Sequence, residues 1–178
     1  KHWNLTFGQT KLPGNRQRVN SSGALQLTDR SINNARFTID RDFGFQAYYL
    51  NENKDKFSYN LKTAVSTGEG RNWTKSADDG VALTGKLELM PFGSFKKDGT
   101  HFEGDIAREE TPKVLVSGAF SQNNLSKRTQ GQLGEDLFAP KTTKAVFFDA
   151  MLKYNGWSLM SAYMSRATKD PIAFNPND

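Results

Sequence analysis

Apolar and polar residues alternate one by one in several stretches of this chain. A period of two is the mark of a β-strand with unlike faces. In HWNLTFGQ, Trp3, Leu5 and Phe7 fall on one side, Asn4 and Thr6 on the other. DFGFQAYYL sets Phe43, Phe45, Ala47 and Tyr49 on one face, although Tyr48 and Leu50 blur its polar side. FSYNLKTAVS is the cleanest, with Phe57, Tyr59, Leu61 and Val65 against Ser58, Asn60, Lys62 and Ser66. VALTGKLELM repeats it with Val81, Leu83, Leu87 and Leu89 against Thr84, Lys86 and Glu88. PKVLVSGAFS gives Val114, Val116 and Phe120 against Ser117 and Ser121, with Leu115 out of step. In FFDAMLKY, Phe148, Ala150, Leu152 and Tyr154 oppose Asp149 and Lys153. WSLMSAYMSR reads as a seventh strand with two mixed faces, so its orientation stays unassigned. No long helical period interrupts the series, and the expected fold class is all-β.

The connections differ in length. NENKD (51–55) is a short turn, and Asn155-Gly156 between two strand runs signals a two-residue hairpin. Residues 10–42, 67–80 and 122–144 are longer and carry turn formers such as Pro13-Gly14, Gly68-Glu69-Gly70-Arg71, Gly131, Gly134 and Pro140. Only the linker 91–112, with Asp98-Gly99 inside it, breaks an arrangement of short turns on one rim and long loops on the other. That arrangement is the habit of an antiparallel transmembrane β-barrel of the outer-membrane type. A soluble β-sandwich also alternates, its apolar face buried against a second sheet, and the pattern leaves it open. Trp3, Tyr49, Phe57, Tyr59, Tyr154 and Trp157 near strand ends suit aromatic girdles at a membrane interface. Isolated charges at Lys62, Lys86, Glu88, Asp149 and Lys153 suit a watery lumen, though an exposed sandwich face would carry them too.

Composition narrows the choice. Aromatic residues reach 12% of 178 residues although apolar residues total only 36%, so the chain is not of the aromatic-poor, disordered kind. There is no cysteine, which removes disulfides, thiolate nucleophiles and cysteine metal sites together. The net charge of +5 is moderate, and no block of like charge suggests a nucleic-acid arm. No run approaches the roughly 18–20 apolar residues of a membrane helix, a measure that barrel strands escape. The chain opens on Lys1 without a signal peptide, as a processed or partial chain would.

Motifs for chemistry are weak. His101, Glu103 and Asp105 in HFEGD alternate, but one histidine beside Gly104 reads as a turn rather than a metal clamp. Gly68-Glu69-Gly70-Arg71 lacks the spacing of a phosphate loop and precedes no helix. Asn4-Leu5-Thr6, Asn72-Trp73-Thr74 and Asn124-Leu125-Ser126 match the glycosylation pattern at the rate chance allows. No nucleophile elbow or zinc-protease signature occurs, only His2 and His101 offer an imidazole, and nothing pairs two carboxylates for glycosidase chemistry. The expectation is a protein that is not an enzyme and needs no cofactor and no metal.

Four stretches carry a resemblance: FGQTKLPGNRQR, SSGALQLTDRSINNARFTIDRDFG, STGEGRNWTKS and RTQGQLG. Together they resemble the phosphate-selective porin family of the Porin O and P type, in its branch from Bacteroidota outer membranes. The likeness runs in order along nearly the whole chain and is most specific from Phe7 to Gly44. It implies a trimeric outer-membrane barrel of 16 strands with loops folded inward to a basic constriction for small anions. Seven strands cannot close such a barrel. On this reading residues 1–178 are part of one porin barrel domain, with outer-membrane lipid around it.

Residues 10–42 would then be the inward-folded loop, anchored to the wall by Leu25, Leu27, Ile32 and Phe37. The loop holds Lys11, Arg16, Arg18, Arg30, Arg36 and Arg41 against Asp29, Asp40 and Asp42. A ring of such cations favours anions over cations, and the guanidinium fork suits phosphate. The candidate constriction and anion-binding residues are Arg16, Arg18, Ser21, Ser22, Arg30, Arg36 and Arg41, the serines adding neutral donors. Lys62, Lys86 and Lys113 are candidate lumen-wall residues, with Glu88 placed to offset Lys86. Ordinary salt bridges to Asp29, Asp40 and Asp42 are the competing role for Arg30, Arg36 and Arg41, whereas Arg16 and Arg18 lack acidic neighbours in sequence. Replacing Arg16 and Arg18 by alanine should therefore lower anion preference more than replacing Lys62.

The sparse basic positions on the strands fit a general or weakly anion-preferring porin as well as a phosphate-specific one. Two rivals stand beside the channel. One is a soluble β-sandwich binding glycans, with Trp73 or Trp157 as a stacking platform. The other is a barrel-shaped envelope subunit that scaffolds other proteins.

Overall fold

Each alternating stretch forms a strand in the computed structural model, which describes residues 2–71, 80–169 and 171. The strands are β1 (Trp3–Lys11), β2 (Arg41–Asn51), β3 (Ser58–Ser66), β4 (Ala82–Met90), β5 (Lys113–Arg128), β6 (Asp136–Tyr154) and β7 (Trp157–Thr168). They form one antiparallel sheet in chain order, and β1 and β7 are its open edges. The fold is all-β, with short helices only in the loops: α1 (Arg16–Val19), α2 (Ile32–Phe37) and 3-10 turns at Ser22–Ala24 and Lys96–His101.

Two strands outrun the sequence reading. β5 continues to Arg128 and β6 begins at Asp136, so the long connection expected at 122–144 shrinks to 129–135. Segments such as QNNLSKR and PKTTK lack a run of alternating apolar residues, so periodicity could not mark them. Their backbones still pair, through Asn123–Thr143, Ser126–Lys141 and Arg128–Asp136, with register shifts on either side of Ser126. The contrast of long rim and short rim is accordingly weaker than the sequence implied. The Asn155-Gly156 hairpin forms as expected, with φ of 47° and 89° at its two residues, the left-handed pair that a type I′ turn requires.

The faces of this sheet are inverted relative to a soluble protein. The apolar side chains point into open solvent: Trp3, Leu5 and Phe7 on β1, Phe45 on β2, Phe148 on β6 and Trp157 on β7 are all more than half exposed. The polar side chains are the buried ones, with Lys86, Glu88, Asp149 and Lys153 each at 5% exposure or less. Trp3 meets Tyr49 at 5.2 Å between ring centroids, Tyr49 meets Tyr59 at 5.9 Å, and Tyr154 pairs with Trp157 in register. These aromatic residues all lie at the end of the sheet where β1, β3 and β7 begin and β2 and β6 end.

Two long loops cover the polar face from opposite ends. Residues 12–40 leave the end of β1, and residues 91–112 leave the end of β4 at the other rim. Each rests on a small apolar seat. Leu12 and Ile39 pack with Ala64, Ala119, Ala145, Phe147 and Met164, while Phe95 packs with Met90, Leu115 and Met151. The expected anchors therefore need correction. Leu27 and Ile32 are 77% and 73% exposed, whereas Leu12 and Ile39 are buried and Phe37 packs beside them. The reason is that the loop's ends, and not its middle, run close to the sheet.

Candidate functional site

The first loop is stiffened from within. Ser31 caps α2 by accepting the Asn34 N–H at 3.2 Å. Asn15, fully buried, donates to the Asn34 amide oxygen at 3.0 Å and accepts from the Thr38 hydroxyl at 2.6 Å. Gly14 lets the two ends of the loop close on each other, since a Cβ there would sit 2.5 Å from the Ile39 side chain. Its carbonyl accepts the Lys86 ammonium at 2.8 Å.

Arg16 lies at the centre of the covered face. Its guanidinium donates to Glu88 at 2.6 Å and to the Thr100 carbonyl of the second loop at 2.9 Å. Glu88 also pairs with Lys62 at 2.8 Å and with Lys86 at 3.8 Å, the offset expected from their shared face. Lys86 in turn holds Asp149 at 2.9 Å. Buried charges are tolerated when paired and hydrogen-bonded in this manner. Beside this network lies a cavity of about 230 Å³, lined among others by Arg16, Lys62, Lys86, Glu88, Asn60 and His101. Two buried polar atoms on its lining residues, Arg16 Nε and Asn60 Oδ1, have no partner among the described residues. Desolvation, followed by the charges of Lys62 and Arg16, pushes the His101 imidazole below its ordinary value.

The other loop cations divide into two groups. Arg18 pairs with Asp40, which also receives Arg71 at 2.5 Å. Burial alone would raise the Asp40 carboxyl, but the hydrogen bonds from Arg71 and Arg18 outweigh it and hold it below the usual carboxylate range. Arg30 donates to the carbonyls of Gln17 and Asn20, both at 3.0 Å. Neither it, nor exposed Arg36, nor half-buried Arg41 forms an ion pair among the described residues. Ser21 and Ser22 are exposed.

The structure thus reverses the sequence-based division of roles. Arg16 and Arg18, which lack acidic neighbours along the chain, are the ion-paired ones, while Arg30, Arg36 and Arg41 are not. Asp42 bridges none of them, because the Ser66 and Thr67 hydroxyls and the Gly68 and Gly70 N–H groups fill its oxygens. Gly68 takes φ of +85° to make that approach. Arg16 and Lys62 also share one carboxylate, so geometry gives no basis for ranking their alanine variants.

The candidate wall lysines all lie on the covered face, and each is engaged. Lys62 and Lys86 have the partners above, and Lys113 donates to the carbonyls of Lys54 at 2.5 Å and Phe92 at 2.7 Å. Two others of this kind, Lys153 on the polar face and Lys11 among the loop cations, were read from the sequence but not counted as candidate site residues. Lys153 donates to the Gly99, Phe102 and Gly104 carbonyls at 2.7, 2.8 and 2.7 Å. Lys11 donates to the Val19 and Asn20 carbonyls at 2.8 and 3.3 Å. The available signal was a charge at an alternating position, since charged side chains are fully buried almost only when paired.

The loops also bind each other. Glu103 accepts from the Gln17 side chain at 3.1 Å and the Gln26 N–H at 2.8 Å, and its own N–H donates to Ala24. Asp105 accepts the Glu109 and Gly156 N–H groups. The carboxylates of HFEGD therefore serve as loop acceptors. On the far side of α1 lies a second cavity of about 340 Å³, whose charged lining among the described residues is Glu103 and Asp149. Trp73 and the Asn72-Trp73-Thr74 pattern lie outside the described residues, as does the end of the STGEGRNWTKS stretch from Asn72 onward. No protein-family model, curated protein or solved structure matches the chain.

Proposed function

We propose that this sheet is part of the wall of an outer-membrane porin barrel, a passive diffusion channel for small, mainly anionic solutes such as phosphate. The observation that carries the reading is the inversion of the two faces. The outward side chains from Trp3 to Phe7, Phe43 to Tyr49, Tyr59 to Val65, Leu83 to Leu89, Val114 to Phe120 and Val146 to Tyr154 include no charge. On β6 this band runs over nine residues, Val146 to Tyr154. At about 3.3 Å per residue and a tilt near 40°, that is about 23 Å of height, against about 25 Å for the apolar belt of a membrane barrel. The row of tryptophan and tyrosine at one rim suits its interface.

The same inversion disfavours the β-sandwich. A sandwich buries its apolar face against a second sheet, whereas the described residues place both loops on the polar face and nothing on the apolar one. Because β1 and β7 run the same way, antiparallel closure takes an odd number of further strands. The resemblance to phosphate-selective porins supports a trimer of complete barrels. The mechanism is diffusion down a gradient along the polar face, narrowed by the meeting of residues 12–40 and 91–112.

Selectivity is modest on this reading. Arg16, Lys62 and Lys86 meet Glu88 and Asp149 at the centre, so the net field there is small, and Arg30, Arg36 and Arg41 supply the uncompensated charge. The test is the reversal potential of the full-length protein in a planar bilayer under a KCl gradient. A chloride-selective potential that falls when phosphate is added supports the proposal. A cation-selective channel overturns the anion assignment. A protein that is soluble without detergent and carries no current overturns the barrel, and stoichiometric partners without conductance would favour the scaffold.

A further inference from the structure

We infer that the outward face of β4–β6 holds a site for one anionic phospholipid, with an acyl chain in a groove and the phosphate at Lys144. The inference rests on the membrane reading above. The groove has a volume of about 250 Å³ and is walled by Leu87, Leu89, Val116, Gly118 and Phe148. It exists because Gly118 has no side chain where its neighbours are bulky, and the Phe148 ring leans over it. Gly85, two residues before Leu87 on the same row of β4, also leaves open space, since an added Cβ there would meet nothing within 4 Å.

Lys144 stands on the same outward row of β6, four residues above Phe148, or about 13 Å along the strand. It is exposed, opposite Gln122 on one side and Ala167 on the other, and forms no ion pair among the described residues. Lys169, also exposed and without an ion pair among the described residues, follows the end of β7 one residue past Thr168. Lys144 and Lys169 set two exposed ammonium groups beyond one end of an uncharged groove, which complements a molecule that is apolar along its length and negative at one tip. A second copy of the chain docked symmetrically fits less well, since an isologous contact presents the same patch from both sides and supplies no anion.

The experiment uses the full-length protein in neutral detergent, with dioleoyl phosphatidylglycerol and dioleoyl phosphatidylcholine as probes and native mass spectrometry as the readout. The two lipids share their tails and differ in net charge. The expected result is preferential retention of phosphatidylglycerol. Lys144→Gln with Lys169→Gln should lower its affinity by about fivefold per lysine and leave phosphatidylcholine unchanged. Gly118→Leu, which fills the groove, should lower both lipids together. The lysine variant alters only exposed side chains and decides the question even if the glycine variant does not fold. Equal retention of the two lipids, or a preference that survives the lysine substitutions, overturns the site while leaving a detergent-requiring barrel intact. A protein that needs no detergent and retains neither lipid overturns the membrane reading as well.

Discussion

The two loops over the polar face arrive from opposite rims with opposite charge. Residues 12–40 carry four arginines against Asp29 and Asp40, whereas residues 91–112 carry Lys96, Lys97 and Arg108 against Asp98, Glu103, Asp105, Glu109 and Glu110. Each has an apolar seat, but their polar tethers differ. The first depends on carboxylates of the sheet, through Arg16 on Glu88 and the Arg16 N–H on Asp149. The second depends on a sheet ammonium, Lys153, clasped by three main-chain carbonyls. The wall therefore holds the basic loop with acids as well as with Lys86 and Lys11, and the acidic loop with Lys153 and Lys113. A polar face built to hold loops this way commits most of its charge to structure.

The comparison breaks most sharply at Glu88. Glu88→Gln leaves buried Arg16 and half-buried Lys62 without their shared counter-charge, and breaking a buried pair costs about 3–5 kcal/mol. Hydrogen exchange should rise across residues 12–40 and stay nearly unchanged across 91–112. Lys153→Met is the mirror experiment, removing charged hydrogen bonds worth about 1.5–3 kcal/mol each. Its exchange should rise in 91–112 and not in 12–40. If both variants loosen both loops, their contacts at Glu103 make them one unit and the contrast fails.

Smaller effects sharpen the first loop. Arg30→Gln with Arg36→Gln should reduce the KCl reversal potential more than Arg16→Ala with Arg18→Ala, because the second pair is already neutralised by Glu88 and Asp40. An equal loss would return Arg16 to the solute path. The smallest effect is one of pH. Asp40 is held below its ordinary value of about 3.9, so its contribution is fully present above that value and is lost as pH falls through the depressed one. Exchange protection around Thr38–Asp42 should hold at pH 4.5 and weaken well below 3.9; loss already at pH 4.5 would show that Arg18 and Arg71 do not stabilise the carboxylate.

The first six strands were legible because alternation is a local property that each run shows without help from its neighbours, whereas the facing of β7, with Ser161 and Ser165 on its outward row, was not. The polar ends of β5 and β6 were not, because there the backbone pairs without an apolar face to mark it. The partners of the loop arginines were illegible for another reason. Arg16 looks free beside Gln17 and Arg18, and its carboxylate lies 72 residues away on β4. The presence of cations in 10–42 could be read from the chain, but which of them were already compensated depended on how the loop folds onto itself and onto β4.

The clasp around Lys153 has a consequence for how this wall can change. Its three acceptors are carbonyl oxygens, which every residue type provides, so the side chains at Gly99, Phe102 and Gly104 do not specify the tether. Substitutions at Phe102 and Gly104 can accumulate so long as the backbone keeps its path, whereas Gly99 is held by its packing on Phe95 and Glu103 by its bonds to the first loop. Descendants or engineered versions of the chain can thus acquire a new lining without losing the placement of the loop that presents it.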